Sequence, residues 1–300
     1  MARKRKIDEK GSSYYYYLGI VIGLIIVVCF SLLFITKLSE RKARLYFALR
    51  SQPTLITFNN PRNFNIPILL YHYIEIVQDQ NDTIRKSLNI LPYTFENQVS
   101  TLKNAGYTFL TPADINSILE NHMSIPKKPV ILSFDDGYGD FYTDVLPILK
   151  KYKVRAVEYV ISGFLDHPNY MTRDQVREVI DSKLVEIGCH TVDHPALKTV
   201  SAEDATREIE GCEEDINRDF GFRPVSFAYP YGSYADFLFP ILAKAGLKNA
   251  VTTDSGTEIA STSLYAIPRI RPGERVGIEL LTYLTSEIAH IQKDLSIVVR

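Results

Sequence analysis

From Ile66 onward the chain predicts an α/β fold: a mostly parallel sheet or barrel with helices connecting its strands. Two observations point there. Short apolar runs alternate with amphipathic stretches of helical period, the βαβα order that builds parallel sheets through right-handed crossovers. The residues able to do chemistry fall at the ends of the apolar runs, where such folds gather their sites. Composition agrees with a globular chain of one large domain or two small ones: 300 residues, 46% hydrophobic and 23% charged. A formal net charge of −1 excludes a general polyanion-binding surface, and no nucleic-acid partner is expected. Three cysteines are too few for a disulfide scaffold; Cys29 lies in an apolar run, so Cys189 and Cys212 form at most one pair.

Residues 1–17 read as a basic N-terminal segment. Leu18 to Thr36 carries no charge and, at 1.5 Å per residue, reaches about 28 Å, enough to cross a bilayer. Tyr14 to Tyr17 precede it at the level of an interfacial aromatic belt. No Ala-x-Ala follows, so the reading is an uncleaved signal anchor rather than a cleaved leader. Basic residues nearly balance across the span; the denser cluster, Arg3 to Lys6, assigns the N-terminus to the cytoplasm. The rest is then extracytoplasmic, on a single-pass protein of the cell membrane. Residues 37–64 form a juxtamembrane stalk broken by Pro53 and Pro61, and residues 65–300 form the folded domain.

Within that domain, strands are expected at Ile66–Tyr71, Pro129–Ser133, Ala156–Ile161, Leu184–Cys189, Val225–Tyr229 and Ala250–Thr252. Helices are expected at Thr94–Leu102 (ended by Gly106), Phe141–Tyr152 despite Pro147, from a Thr172 cap to Lys183, from a Ser201/Asp204 capping box to Gly221, and Tyr234–Ala245. Gln78 to Lys86 reads as polar loop, and the acid-rich run Glu203–Asp219 as the solvated face of a helix.

Three strand ends carry the chemistry: Ser133-Phe-Asp135-Asp136-Gly137, Cys189-His190-Thr-Val-Asp-His194-Pro195 and Phe227-Ala-Tyr-Pro-Tyr231-Gly232. Adjacent carboxylates in extended chain point opposite ways, so one can bind a metal while its neighbour does other work. His190 and His194, four apart, can grip one ion. A His, His, Asp set with an open position suits a divalent metal, zinc first, with cobalt or nickel as alternatives. Cys189 alternates away from His190 and reads as a core thiol.

These motifs resemble the polysaccharide deacetylase family, with its NodB-homology domain (carbohydrate esterase family 4). FDDGY at 134–138 and HTVDHP at 190–195 carry the resemblance, which runs from about Ile66 to Arg271. It implies a distorted (β/α) barrel that removes acetyl groups from N-acetylated sugar polymers with a divalent metal. By position, Asp135 matches the base that takes a proton from the attacking water. Asp136, His190 and His194 match the metal ligands, and Tyr231 the residue whose backbone N–H helps hold the oxyanion. The early Leu-Tyr-His72 and the Tyr-Pro-Tyr-Gly third motif look most like the poly-β-1,6-N-acetylglucosamine deacetylases, which implies His72 as general acid.

Departures are visible too. Ala228 stands where many members carry an arginine that tethers the base; Arg269 and Arg271, alternate residues of one strand face, are the expected replacements. The chain has no tryptophan to wall an acetyl pocket. His290 falls in a terminal helix and reads as structural or surface. Glu158 interrupts an apolar strand and is expected to be partly exposed or paired with a local Lys or Arg. Tyr138, Tyr142, Tyr231 and Tyr234 follow motif ends and could stack on sugar faces. The resulting expectation is a membrane-anchored deacetylase acting on an N-acetylglucosamine-containing exopolysaccharide or peptidoglycan, with a polysaccharide synthase or export complex as a partner. Two rival readings stay open: a decayed, metal-retaining carbohydrate-binding protein, and an O-acetyl esterase on another glycan.

Overall fold

The computed structural model describes residues 63–298, apart from residues 80 and 121. The expected cytoplasmic segment, membrane span and nearly all of the stalk lie outside the described residues. Among the described residues, no helix is long and apolar enough to cross a membrane.

The first strand, β1 (Asn63–Asn65), starts inside the stretch expected to be stalk. It is followed by β2 (Ile68–Tyr71), α1 (Thr83–Leu88), α2 (Pro92–Asn104), β3 (Thr108–Leu110), α3 (Pro112–Leu119) and β4 (Pro129–Asp136). A wide helical turn at Phe141–Val145 leads into α4 (Leu146–Tyr152), then come β5 (Ala156–Val160), α5 (Arg173–Asp181), β6 (Val185–Cys189), α6 (Ala202–Phe220), β7 (Ser226–Ala228) and α7 (Phe239–Lys244). The chain ends with β8 (Asn249–Ser255), β9 (Glu258–Ala260), β10 (Ile267–Arg269) and α8 (Gly277–Val298). The main sheet runs in the order β10-β8-β7-β6-β5-β4-β2, every pair parallel, with β3 beside the start of β4. Its two edges meet: Leu70 donates its N–H to the Ile270 carbonyl and Ile270 to that of Ile68, both at 2.9 Å. The distorted parallel barrel expected from the sequence is therefore present. A two-stranded antiparallel pair, β1 with β9, adds Phe64 and Ile259 to the apolar core.

Every residue of β4 is buried, as a parallel strand covered on both faces requires. Ile66, Ile68, Ile131, Val157, Val251 and Ile267 meet in one cluster, and each fully buried aliphatic side chain contributes roughly 1.5–3 kcal/mol. Gly188 sits opposite Tyr159 on β5; a Cβ there would strike the Tyr159 ring, so the pairing of β5 and β6 needs glycine. Most helix signals act as read, though at Ser201 only the N-cap half of the expected capping box forms, Asp204 accepting from the Ser201 hydroxyl and not from its backbone N–H. The Thr172 hydroxyl accepts from the Gln175 N–H at 3.2 Å while Gln175 accepts from the Thr172 N–H at 2.8 Å. Ser201 accepts from the Asp204 N–H at 3.1 Å, and Gly221 closes α6 with φ 79°. Pro147 lies in the first turn of α4, where no intrahelical N–H is needed.

Several expectations need correction. The polar stretch Gln78–Lys86 is not all loop: Asp82 caps α1 by accepting from the Arg85 N–H at 2.8 Å. β3 and α3 went unread because three to eight residues are too few to establish a period. The acid-rich run is not wholly solvated: Glu208 and Glu213 are 7% and 2% exposed. Cys189 is not a free thiol but is joined to Cys212 of α6, a separation of 23 residues. Closing a loop of that size removes unfolded-state entropy worth about 3 kcal/mol. Cys212→Ser should therefore lower the unfolding free energy of the folded domain by about that amount, read from urea denaturation followed by circular dichroism.

Candidate active site

The expected chemistry converges at the C-terminal ends of β4, β6 and β7. Asp135 and Asp136 are the last residues of β4, and the chain turns away through two left-handed residues, Asp136 (φ 85°) and Gly137 (φ 83°). The two carboxylates take different partners. Asp135 receives both guanidinium nitrogens of Arg269, Nη1 to Oδ1 and Nη2 to Oδ2, each at 2.7 Å. Arg269 comes from β10, reaches past β2, and is itself 1% exposed. Its Nη1 also donates to Ser133 Oγ at 3.2 Å and its Nε to the Thr252 carbonyl at 2.8 Å. Burial raises the Asp135 pKa, but the guanidinium outweighs it and holds the carboxyl below its ordinary value. Asp135 is thus an ionised, oriented acceptor. Arg269 is the expected tether. Arg271 is not: it lies exposed beyond the end of β10, after Ile270, which is buried and bridges to β2 where the barrel closes.

Asp136 faces the histidines. Its Oδ1 lies 3.2 Å from His190 Nε2 and 3.3 Å from His194 Nε2, and the two ring nitrogens are 3.2 Å apart. Each ring is oriented from behind. His190 Nδ1 donates to the Ala228 carbonyl at 2.7 Å, which leaves Nε2 as the lone-pair atom of the neutral ring. His194 Nδ1 meets the Tyr231 hydroxyl at 3.1 Å. Burial opposes ionisation of Asp136, yet the His190 and His194 imidazoles facing it hold its carboxyl far below the ordinary range. Burial likewise disfavours the His190 imidazolium, and the Asp136 carboxylate reverses that effect. Three electron-rich atoms converging at 3.2–3.3 Å fit one face of a tetrahedral ion, whose N and O ligands at about 2.0–2.1 Å lie roughly 3.3 Å apart. Asp136 Oδ1 is buried with no hydrogen-bond partner among the described residues. The residues therefore fit a divalent metal held by Asp136, His190 and His194.

The remaining expected residues surround this pair of carboxylates. His72 follows β2; burial pushes its imidazole pKa down, against the raising fields of Asp135 and Asp136. Tyr231, in the left-handed region (φ 59°), is 69% exposed, and its carbonyl accepts from the Thr253 hydroxyl at 3.4 Å. Ala228 is the backbone anchor of His190 rather than a lost arginine. Glu158 is neither exposed nor paired with a cation. It is 1% exposed, accepts the Gly137 N–H at 2.9 Å, and its Oε2 has no hydrogen-bond partner among the described residues. Burial, reinforced by the nearby carboxylates, lifts its pKa well above the ordinary range.

The tyrosines do not form one platform. Tyr138 stacks on Tyr73 at 3.9 Å and lies tilted against Tyr170 at 5.1 Å, Tyr142 donates to Glu178 at 2.6 Å, and Tyr234 reaches Asp254 at 3.3 Å. Sequence reasoning missed Asp140, whose Oδ2 accepts the Ile74 N–H and so ties the segment after His72 to the segment after β4. Its only signal was another carboxylate close behind the Asp135-Asp136 pair. Burial pushes Asp140 up to about 6, despite that N–H bond.

Two outcomes follow for stability. Arg269→Met leaves a buried carboxylate without its partner and should cost about 3–5 kcal/mol at neutral pH in urea unfolding. The deficit should shrink on acidification, because the wild type loses the pair as pH falls through the depressed Asp135 pKa while the variant's carboxyl becomes neutral. Asp140 has the opposite sign. Its folded pKa, about 6, lies above its ordinary 3.8, so its contribution is full below that ordinary value and lost as pH rises through about 6. Asp140→Asn keeps the acceptor and removes the titration; the wild type's stability relative to this variant should fall between pH 4 and pH 7.

Comparison with known proteins agrees with this geometry. The polysaccharide deacetylase family model matches residues 122–250. The Staphylococcus aureus poly-β-1,6-N-acetyl-D-glucosamine N-deacetylase is 29% identical over 198 residues, 62% of this chain and 68% of that protein. Among solved structures, a polysaccharide deacetylase from Bacillus cereus is 26% identical with a TM-score of 0.65, over 74% of this chain and 69% of that one. The Streptococcus pyogenes deacetylase PplD, solved in complex with acetate, is 32% identical with a TM-score of 0.69, covering 74% of this chain and 98% of that one. With that identity across nearly the whole streptococcal enzyme, and with its own site assembled as described, the chain belongs to the polysaccharide deacetylase family of hydrolases.

Proposed function

We propose that this chain is a divalent-metal-dependent N-deacetylase acting outside the cytoplasmic membrane on an N-acetylglucosamine-containing polymer, with zinc as the metal. One observation carries the reading: three lone-pair atoms of Asp136, His190 and His194 converge beside an ionised Asp135 clamped by Arg269. A metal held there supplies a Lewis acid that polarises an acyl oxygen and brings the pKa of water to about 7. The chain's own groups supply the rest. Asp135 takes the proton from the attacking water, and Arg269 keeps that carboxylate charged and aimed. The Tyr231 N–H is offered to the developing oxyanion from a backbone already bent into the left-handed region. His72, in the field of both aspartates, is the group that protonates the leaving amine.

The polymer class is supported by the named substrate of the staphylococcal relative. Location is supported by the apolar Leu18–Thr36 run and by the Cys189–Cys212 disulfide, a bond that persists in oxidising compartments. An anchored catalytic domain would sit where nascent polymer emerges, beside the machinery that makes or exports it. The decayed-site alternative loses its main support, because Arg269 fills the role that Ala228 seemed to leave vacant.

The test is acetate release by the full chain in detergent micelles from β-1,6- and β-1,4-linked N-acetylglucosamine oligomers. Release should require added zinc or cobalt and fall by about 10²–10⁴-fold in Asp135→Asn and in His72→Asn. The preferred linkage would name the polymer. A folded, zinc-binding protein that releases nothing from either linkage would overturn the reading in favour of a binding module or an ester substrate.

A further inference from the structure

The segment between the two histidines is strained. Thr191 and His194 both adopt positive φ, 68° and 61°, in a stretch without glycine. Each such residue costs on the order of 1 kcal/mol and persists only when its surroundings over-determine it. Local bonds account for part of the hold. Thr191 Oγ1 accepts the His194 N–H at 2.9 Å, and the carbonyls of Thr191 and Val192 accept the N–H groups of Ser162 and Gly163, both at 3.1 Å. The two N–H groups at the middle of the segment, on Val192 and Asp193, go to a single oxygen from another element. Glu208 Oε2 on α6 accepts both, at 3.0 Å and 2.9 Å. Glu208 is 7% exposed and, among the described residues, makes no ion pair with Lys, Arg or His; its Oε2 goes to those two amides.

The same face of α6 is fitted to the segment at two more points. Gly211, one turn on, lies under Val192, where a Cβ would come within 3.0 Å of Val192 Cγ2. Cys212 is bonded to Cys189, the residue before His190. Nothing about Glu208 is explained by its helix alone: a carboxylate on a buried face is expensive unless it is hydrogen-bonded, and here the bonds go only to the histidine-bearing turn.

We propose that Glu208 is a positioning residue for the metal centre, locking the Thr191–His194 turn so that the His190 and His194 nitrogens meet Asp136 before any ion arrives. This role rests on the metal-binding reading given above. Outer groups that orient metal ligands are worth about 10–100-fold in affinity.

The test measures zinc affinity of the metal-stripped full chain by chelator competition, beside thermal melting without metal. Glu208→Ala should weaken zinc binding by about 10–100-fold. Glu208→Gln should restore it to near the wild-type value, since one amide oxygen can accept both N–H groups. Glu213→Ala is the control: it disturbs a second buried glutamate of the same helix, one paired with Arg223 and not with the histidine turn, and should leave zinc affinity unchanged. If Glu208→Ala does not fold, Glu208→Met keeps the stem and the helix and carries the same comparison. Unchanged zinc affinity in Glu208→Ala or Glu208→Met, or an equal loss in Glu213→Ala, would overturn the proposal while leaving the functional reading intact. A wild type that does not bind zinc at all would overturn both.

Discussion

The buried pairing of Asp135 with Arg269 is the interaction around which the rest is arranged. A carboxylate at 2% exposure and a guanidinium at 1% would each be costly alone. Joined through two parallel 2.7 Å bonds, with the third face of the guanidinium taken by Thr252 and Ser133, they are a satisfied unit. Such a pair adds little net stability over an apolar alternative, but it fixes geometry. It links β4 to β10 across β2, at the place where the sheet closes on itself. It also keeps one member of an adjacent aspartate pair ionised and stationary, so that its neighbour can turn to the histidines.

Around this unit the site is held from behind at nearly every point. His190 is oriented by a backbone carbonyl, His194 by a tyrosine hydroxyl, and the turn between them by Glu208 and a disulfide to the same helix. Glu158, its pKa pushed up by burial, holds the Gly137 amide under the Asp135-Asp136 turn. Asp140 joins the segment after β4 to the segment carrying His72. Buried carboxylates thus serve as acceptors for loop N–H groups that no strand can pair. Each helps keep irregular backbone in one shape.

The barrel and its motifs were legible for a simple reason. A parallel strand covered on both faces must be apolar throughout, and helices over it must repeat every 3.6 residues, so both write themselves into local sequence. Asp135, Asp136, His190 and His194 stood at the ends of such runs; the types and spacing of Asp136, His190 and His194 suited a metal site, which the family resemblance then implied. Arg269 was named among two arginines, but spacing alone could not separate it from Arg271. The choice depended on where β10 ends: Arg269 is its last residue and buried, while Arg271 lies past it and exposed.

What remained hidden was whatever depends on packing between distant segments. Cys189 alternates with His190 along β6 and looked like a core thiol; only the placement of α6 against that strand end brings Cys212 within a Cα separation of 6.0 Å. Glu208 and Glu213 sit in a run whose composition says solvent, and the tertiary fold buries them by giving their oxygens partners 16 and 10 residues away. Sequence by itself determined the fold class and placed Asp135, Asp136, His190 and His194 at strand ends, because strand and helix periodicity is local; the roles of base and ligand came from the family resemblance. The tertiary structure alone decided which arginine pairs with Asp135, which cysteines join and which acids are buried, because each depends on distance and desolvation between segments far apart in the chain.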